Sequence, residues 1–451
     1  MIIGMQGLRM VIFICGGLVF AMLEAFANGY GIGAESVTGL GRADAGSAAI
    51  VGDASIAHAN PAGMALRRET ELMTGLTLVY PEISFEPGNS TAFDGAALLG
   101  GDGGNAGTPA LVPNTHLVMP LGRDFVAGFS ITSQYGLITD YNPSFIDRYD
   151  FINTNLLSMN INPSISWKAT DNLAIGAGLN VAYGRQKLRQ AIDFGSVCAA
   201  GLGRETCLTG FGLAPGENDG FARVRLDDWG TGFNLGVIHE PSPNTRFGAS
   251  YRSRVTFDGR GHARYDVPDN AAAFLSAAGA SAAFENSDAG GRFSFPASAN
   301  LALSHQATEK LGLMAGVTWT EWSLVDEYRV IFDNAATADS VVRVDYQDTF
   351  RVAAGAEYAL NEALTLRGGL AFQQSPVRDD RREPAVPDSD RVILAIGASY
   401  ALTERIIMDL GYQYHRLRDG PLERVSVTGS TARGTFEISA HFLAMGVRVH
   451  F

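Results

Sequence analysis

The sequence predicts an all-β chain: a transmembrane antiparallel β-barrel of about fourteen strands, preceded by an N-terminal segment that is not strand. Three observations predict it. The chain opens on an export-type leader and has no later apolar helix; a small-residue segment without alternation follows; after that, segment upon segment alternates with period two.

Arg9 precedes an apolar run from Met10 to Leu23 that ends at Ala25-Phe26-Ala27, the pattern of a secretory signal peptide with a small-x-small cleavage site. Residues 1–27 are therefore expected to be removed, with Asn28 as the mature start. The run falls short of the roughly 20 apolar residues of a spanning helix. If the mature chain sits in a membrane, it crosses as a closed barrel, the other architecture that satisfies every backbone hydrogen bond in lipid.

Residues 28–68 are rich in Gly and Ala and nearly free of alternation, including Gly39-Leu40-Gly41-Arg42-Ala43 and Asn60-Pro61-Ala62-Gly63-Met64. This is not a strand region. From residue 69 to 451 the chain reads as barrel. At the C-terminus Leu443, Met445, Val447, Val449 and Phe451 share one face, and Ala444, Gly446, Arg448 and His450 the other. The same split separates Leu173, Ile175, Leu179 and Val181 from Gly176, Gly178 and Asn180, and Met408, Leu410 and Tyr412 from Asp409 and Gln413.

A soluble sandwich alternates too, but its polar face would be rich in Lys and Glu. Here that face is Gly, Ala and Ser with scattered Arg, as in a crowded barrel interior. The runs fall near residues 70–85, 114–121, 124–136, 156–169, 172–189, 221–240 and 244–260, and then 292–306, 311–332, 341–359, 363–375, 390–401, 405–418 and 434–451. An even number brings both ends to the periplasmic side. The stretches 86–113, 137–155, 190–220, 261–291 and 376–389 would then be extracellular loops.

The formal charge of -13 argues against nucleic acid as a partner, since that binding needs clustered cations. Positive charge comes from 31 Arg and 3 Lys; Arg forks suit carboxylate or phosphate, and codon bias gives the same skew. Cys15 leaves with the leader. Cys198 and Cys207 are candidates for a disulfide in an exposed loop. The eight His are scattered without paired spacing, which argues against a metal site. With no GxSxG elbow and no nucleophile beside a base, the chain reads as non-enzymatic and without a cofactor.

Over essentially its whole mature length, the sequence resembles the FadL/TodX-type outer-membrane transporters of long-chain fatty acids, whose branch includes aromatic hydrocarbon importers. The resemblance is carried by Thr38-Gly39-Leu40-Gly41-Arg42-Ala43 and Asn60-Pro61-Ala62, then Thr245-Arg246-Phe247-Gly248-Ala249-Ser250-Tyr251-Arg252-Ser253, Trp319-Thr320-Glu321-Trp322-Ser323, Asp348-Thr349-Phe350-Arg351 and Pro387-Asp388-Ser389-Asp390-Arg391. It implies a fourteen-stranded barrel whose lumen is occluded by an N-terminal plug (hatch), residues 28–68, and passive uptake: capture of a hydrophobic compound at the extracellular loops, binding in the barrel, and release sideways through a kinked wall strand. Burial of the ligand's methylenes at about 0.8 kcal/mol each would favour capture.

The resemblance also implies residues. Gly39, Gly41, Asn60, Pro61 and Ala62 would fix the plug; Arg185 and Arg329 would meet a carboxylate head group. Strict alternation from Leu173 puts Arg185 outward, so that role needs a bulge, and a loop ion pair is the alternative for both cations. Phe93, Leu98, Leu99, Phe145 and Phe151 in the first two long loops would form an apolar capture groove, or else pack the loops against each other. The expected partners are the hydrophobic ligand, outer-membrane lipid and lipopolysaccharide around a monomer in a Gram-negative outer membrane. The rival readings are an importer of aromatic or alkane hydrocarbons and an outer-membrane enzyme such as a barrel lipase.

Overall fold

The computed structural model describes residues 29–92, 95–426 and 429–451; the leader, Cys15, Asn28 and Phe93 lie outside these. Its strands are β1 (Glu71–Pro87), β2 (Ala110–Pro120), β3 (Phe125–Thr132), β4 (Gly136–Asp140), β5 (Asn153–Lys168), β6 (Leu173–Ile192) and β7 (Gly220–Ser242). They continue as β8 (Thr245–Arg252), β9 (Val255–Asp266), β10 (Ser287–Phe295), β11 (Ser298–Gln306), β12 (Leu311–Thr320), β13 (Glu327–Phe332) and β14 (Ser340–Arg343). The last are β15 (Thr349–Ala359), β16 (Leu364–Gln373), β17 (Arg391–Ala401), β18 (Ile406–Leu417), β19 (Gly420–Val425) and β20 (Thr431–His450).

Among the described residues these segments make fourteen staves, because β3/β4, β8/β9, β10/β11, β12/β13, β14/β15 and β18/β19 are each two pieces of one stave. Neighbouring staves are antiparallel. The sheet closes where β1 pairs with β20 from Glu71↔His450 to Pro87↔Gly434, so the spanning wall has no open edge to leave unsatisfied in lipid.

The alternation predicts the faces correctly. Leu179, Leu370, Leu410, Leu443 and Met445 point out and are exposed, whereas Asp409, Gln413, Ala444 and Arg448 are buried inside. Tight turns close one end: the Leu360 and Leu402 amides donate to the carbonyls of Leu364 and Ile406, both at 2.9 Å. The long connections all lie at the opposite end, which is the extracellular one.

That end is taller than the periodicity implies. The loop expected over 261–291 is wall at both of its ends, since β9 runs to Asp266 and Ser287 pairs with Ala263; likewise β2 begins at Ala110. Above the bilayer, outward positions carry Arg260, His262 and Arg264, so the apolar signal stops while the ladder continues.

Residues 29–68 lie within the wall, with short helices at Val37–Leu40 and Ile56–Ala59 and a 3₁₀ turn at Pro61–Leu66. Their backbone rests directly on wall glycines. A Cβ added at Gly248 would sit 1.9 Å from the Ala48 carbonyl oxygen, and one at Gly369 would sit 2.1 Å from that of Arg42. Only glycine permits so close an approach, which is why the interior face reads as Gly. Ion pairs add to the contact: Arg351 with Asp44 at 3.1 Å and Arg42 with Glu357 at 3.1 Å.

Candidate transport path

One of the six two-piece staves, β3/β4, loses its ladder with β2 partway along. The β2–β3 ladder runs from Pro120↔Val126 to Thr115↔Ile131 and stops there. On the other side of the same stave, β3 pairs with β5 as far as Thr132↔Asn160, and β4 resumes at Gly136↔Leu157. Three residues, Ser133, Gln134 and Tyr135, thus face two, Ser158 and Met159. This bulge switches the inward phase from even positions (Ser130, Thr132) to odd ones (Tyr135, Leu137).

The N-terminal segment occupies the space beside it. The Ile32 amide donates to the Gln134 carbonyl at 2.8 Å, and the Gly136 amide donates to that of Tyr30 at 2.8 Å. Toward β2, Asn114 Nδ2 donates to the Ala34 carbonyl at 3.1 Å. A short piece of chain is therefore laid where a neighbouring strand would otherwise pair.

On the extracellular side lies a narrow apolar chamber of about 30 Å³, lined by Tyr30, Phe151, Leu156, Phe293, Phe295 and Tyr328, with Gln186 and Thr154 as polar members. Its floor is aromatic. Tyr30 packs edge-on against Trp322 at 4.6 Å, and Tyr135 stacks on Phe295 at 4.5 Å. Both phenols are satisfied, Tyr30 donating to the Ser294 carbonyl at 2.7 Å and Tyr135 to that of Pro296 at 3.2 Å. Burial raises the Tyr30 phenol well above its ordinary range, so it stays a neutral donor.

Below this floor, Gln134, Tyr135 and Trp322 also line a second, polar cavity that reaches Arg351. A neighbouring cavity is lined by Glu35, Asp44, Asp53, His58, Arg252 and Arg351. Burial pushes the His58 imidazole well below its usual value, with Arg252 and His116 adding to the effect, so the ring is neutral. The Arg252 guanidinium holds the segment through the His58 carbonyl at 2.8 Å.

Among the expected site residues, the segment positions come together. Asn60 Nδ2 reaches the β7 backbone, and the Cα of Gly397 would lie 2.9 Å from a Cβ added at Gly41. Gly39 is equally confined, by Asp44 Oδ1.

The two cations do not join the chamber. The ladders of β6 with β5 and β7 keep one register throughout, so Arg185 stays in phase with outward Ile175 and Leu179 and donates to Asn155 Oδ1 at 3.4 Å. The bulge that an inward Arg185 requires is absent from those ladders. Arg329 is in phase with exposed Ile331 and pairs with Glu327 at 2.7 Å and Asp339 at 3.6 Å. Their neighbours Gln186 and Tyr328 line the chamber instead.

The expected loop groove is also redistributed. Leu98, Phe145 and Phe151 are buried, and Phe145 stacks on Tyr141 at 4.2 Å; Leu99 alone of these four is exposed. The loops pack on one another, and of the four only Phe151 lines the chamber. Cys198 and Cys207 are joined by a disulfide between two short loop helices, Phe194–Leu202 and Arg204–Phe211. Tyr30, Tyr135, Phe293 and Phe295 are not among the residues that the sequence singles out, and Trp322 enters there only within the motif Trp319–Ser323. The inward phase of Phe293 and Phe295 was the available signal.

The family model for outer membrane protein transport proteins (OMPP1/FadL/TodX) matches residues 18–451. The chain belongs to this family. Outer membrane protein P1 of Haemophilus influenzae is 28% identical, with 94% of each chain covered. The long-chain fatty acid transport protein of Escherichia coli K12 is 27% identical, over 89% of this chain and 91% of its own. The crystal structure of a FadL homologue from Pseudomonas aeruginosa superposes with a TM-score of 0.86 at 23% identity, over 94% of this chain and 100% of that one. As an OMPP1/FadL/TodX-family barrel, the protein resides in the outer membrane of a Gram-negative bacterium.

Proposed function

We propose that the protein is a passive importer of hydrophobic compounds, with long-chain fatty acids as its principal cargo. The observation that carries this reading is the apolar chamber set above an interrupted stave: a greasy solute held by Phe151, Phe293 and Phe295 lies next to a break in the wall rather than above a water-filled pore. Residues 28–68 act as the plug, and displacement of Tyr30–Ile32 opens the way sideways between β2 and β3/β4. The polar lumen is never crossed by the chain of the ligand, which avoids the cost of exposing its methylenes to water. The names of the curated fatty-acid relatives support this class of cargo.

The mature chain starts after residue 27, works as a monomer and carries out no reaction. Capture begins at the extracellular loops, from which Phe151, Ala385 and Val386 reach the chamber. A carboxylate head would find its cation at Arg351 in the polar cavity that shares Tyr135 and Trp322 with the chamber floor.

One observation favours a second reading. Among the described residues, no Lys, Arg or His lines the chamber, which suits an uncharged hydrocarbon as well as an acyl tail. Equilibrium binding of oleate and of toluene to the purified barrel, followed by uptake of each by cells expressing it, separates the two. Oleate binding and uptake are expected; toluene binding without oleate binding would reverse the assignment.

A further inference from the structure

The outward face of three adjoining staves changes character within one residue pair. Tyr183 and Trp229 face each other across β6 and β7 with ring centroids 5.3 Å apart, and Trp229 is 52% exposed. Aromatics in this setting mark the level where acyl chains give way to head groups. Toward the extracellular end, the next outward rows read across β6, β7 and β9 as Arg185–Asp227–Arg260, Lys187–Arg225–His262 and Arg189–Arg223–Arg264.

Like charges set directly opposite on one sheet face repel. Lys187 against Arg225, and Arg189 against Arg223 against Arg264, are such pairings. Local carboxylates offset them in part: Asp266 pairs with Arg223 at 2.7 Å and Asp227 with Arg225 at 3.4 Å. The Arg189 guanidinium lies over the Phe221 ring at 4.3 Å, and His262 Nδ1 is 2.7 Å from Asp288. One groove on this face still gathers Lys187, Arg189, Arg223, Arg225, Arg260 and Arg264 against Asp140 and Asp227. In a chain of formal charge -13 this excess of cations is a local departure from the average.

We infer that this face binds a phosphorylated lipid of the outer leaflet, with its acyl chains along the apolar belt below Trp229 and its phosphates between the guanidinium rows. The depth argues for a lipid: the cations begin one row above the aromatic pair, where a phosphorylated glycolipid such as lipopolysaccharide places its phosphates. Guanidinium forks grip phosphate oxygens in pairs, so a bridging phosphate turns the repulsion between rows into shared attraction. The face points away from the lumen, so this binding is independent of the transport path.

The test uses the full barrel, purified in a zwitterionic detergent and freed of lipid. It is titrated with bisphosphorylated lipid A, with the same lipid after dephosphorylation, and with lipid A in the presence of excess inorganic phosphate. Lipid A is expected to bind, dephosphorylation to weaken binding at least about tenfold, and inorganic phosphate to compete poorly. The variant R223Q/R260Q/R264Q is expected to lose affinity to a similar extent while retaining the heat-shifted electrophoretic mobility of a folded barrel and wild-type oleate uptake. Equal binding of the dephosphorylated lipid, equal binding by the variant, or full displacement by inorganic phosphate would overturn the assignment. If the variant fails to fold, the comparison of the two lipids on the unmodified protein still decides.

Discussion

Asn60 ties the N-terminal segment to the wall at Val237: its Nδ2 donates to the Val237 carbonyl at 3.0 Å and to that of Ala48 at 2.7 Å, while its Oδ1 accepts from the Ala62 amide at 3.1 Å. One buried amide thus holds both the turn that begins at Pro61 and the contact with β7. Asn60→Ala is expected to loosen the segment by about 1–3 kcal/mol, the cost of leaving buried partners unsatisfied. Faster thiol labelling of a cysteine placed at Ala59 in this background would show it. Pro61→Ala, which frees the same turn, is expected to change uptake as well; a folded Pro61→Ala barrel importing at the wild-type rate would count against a gating role here.

The glycine seats predict a second class of variant. Gly248→Leu and Gly369→Leu put side chains where the Ala48 and Arg42 carbonyls now lie, and backbone cannot give way as a flexible side chain can. The outward face is untouched, so the barrel is expected to fold with its heat-shifted mobility intact. The segment is expected to be displaced, and entry of large hydrophilic antibiotics to rise in a susceptibility assay.

The chamber predicts an asymmetry between neighbouring residues. Leu156→Asp buries a charge among aromatics and is expected to weaken oleate binding at least about tenfold. Arg329→Gln, whose side chain lies outside the wall, is expected to change it by less than about twofold. Equilibrium binding with a fluorescent fatty acid measures both.

Glu35 predicts a pH dependence. Burial raises its carboxyl from the ordinary 4.5 to about 7; Asp44 adds to the rise, and Arg252 and Arg351 oppose it. A group whose docked-state value is raised contributes fully below its free value and loses that contribution as pH rises through the docked one. The segment is therefore held more firmly at about pH 5 than at about pH 8. Labelling of Ala59→Cys should accelerate across that window, and Glu35→Gln should flatten the profile.

Much of the barrel was legible because lipid imposes a strict period of two: Leu443, Met445 and their counterparts on other staves must point out. The wall above the bilayer was not, because Arg260, His262 and Arg264 satisfy an aqueous outer face and carry no apolar alternation. The chamber was hidden for another reason. Tyr30, Phe151, Phe295 and Val386 are remote in sequence, and only closure of the sheet brings them together. Arg185 and Arg329 each missed the lumen by one residue, and alternation already placed Arg185 outward. The extra residue among Ser133, Gln134 and Tyr135 shows only when β5 is laid beside it.

The most direct test of the lateral route removes that residue. Deleting Gln134 leaves two residues opposite Ser158 and Met159, so the stave can run unbroken along β5 and extend its pairing with β2 past Thr115↔Ile131. Initial rates of oleate uptake by cells expressing this variant are predicted to fall at least about tenfold, with folding and oleate binding by the purified barrel retained. Wild-type uptake through the repaired wall would contradict release between β2 and the interrupted stave.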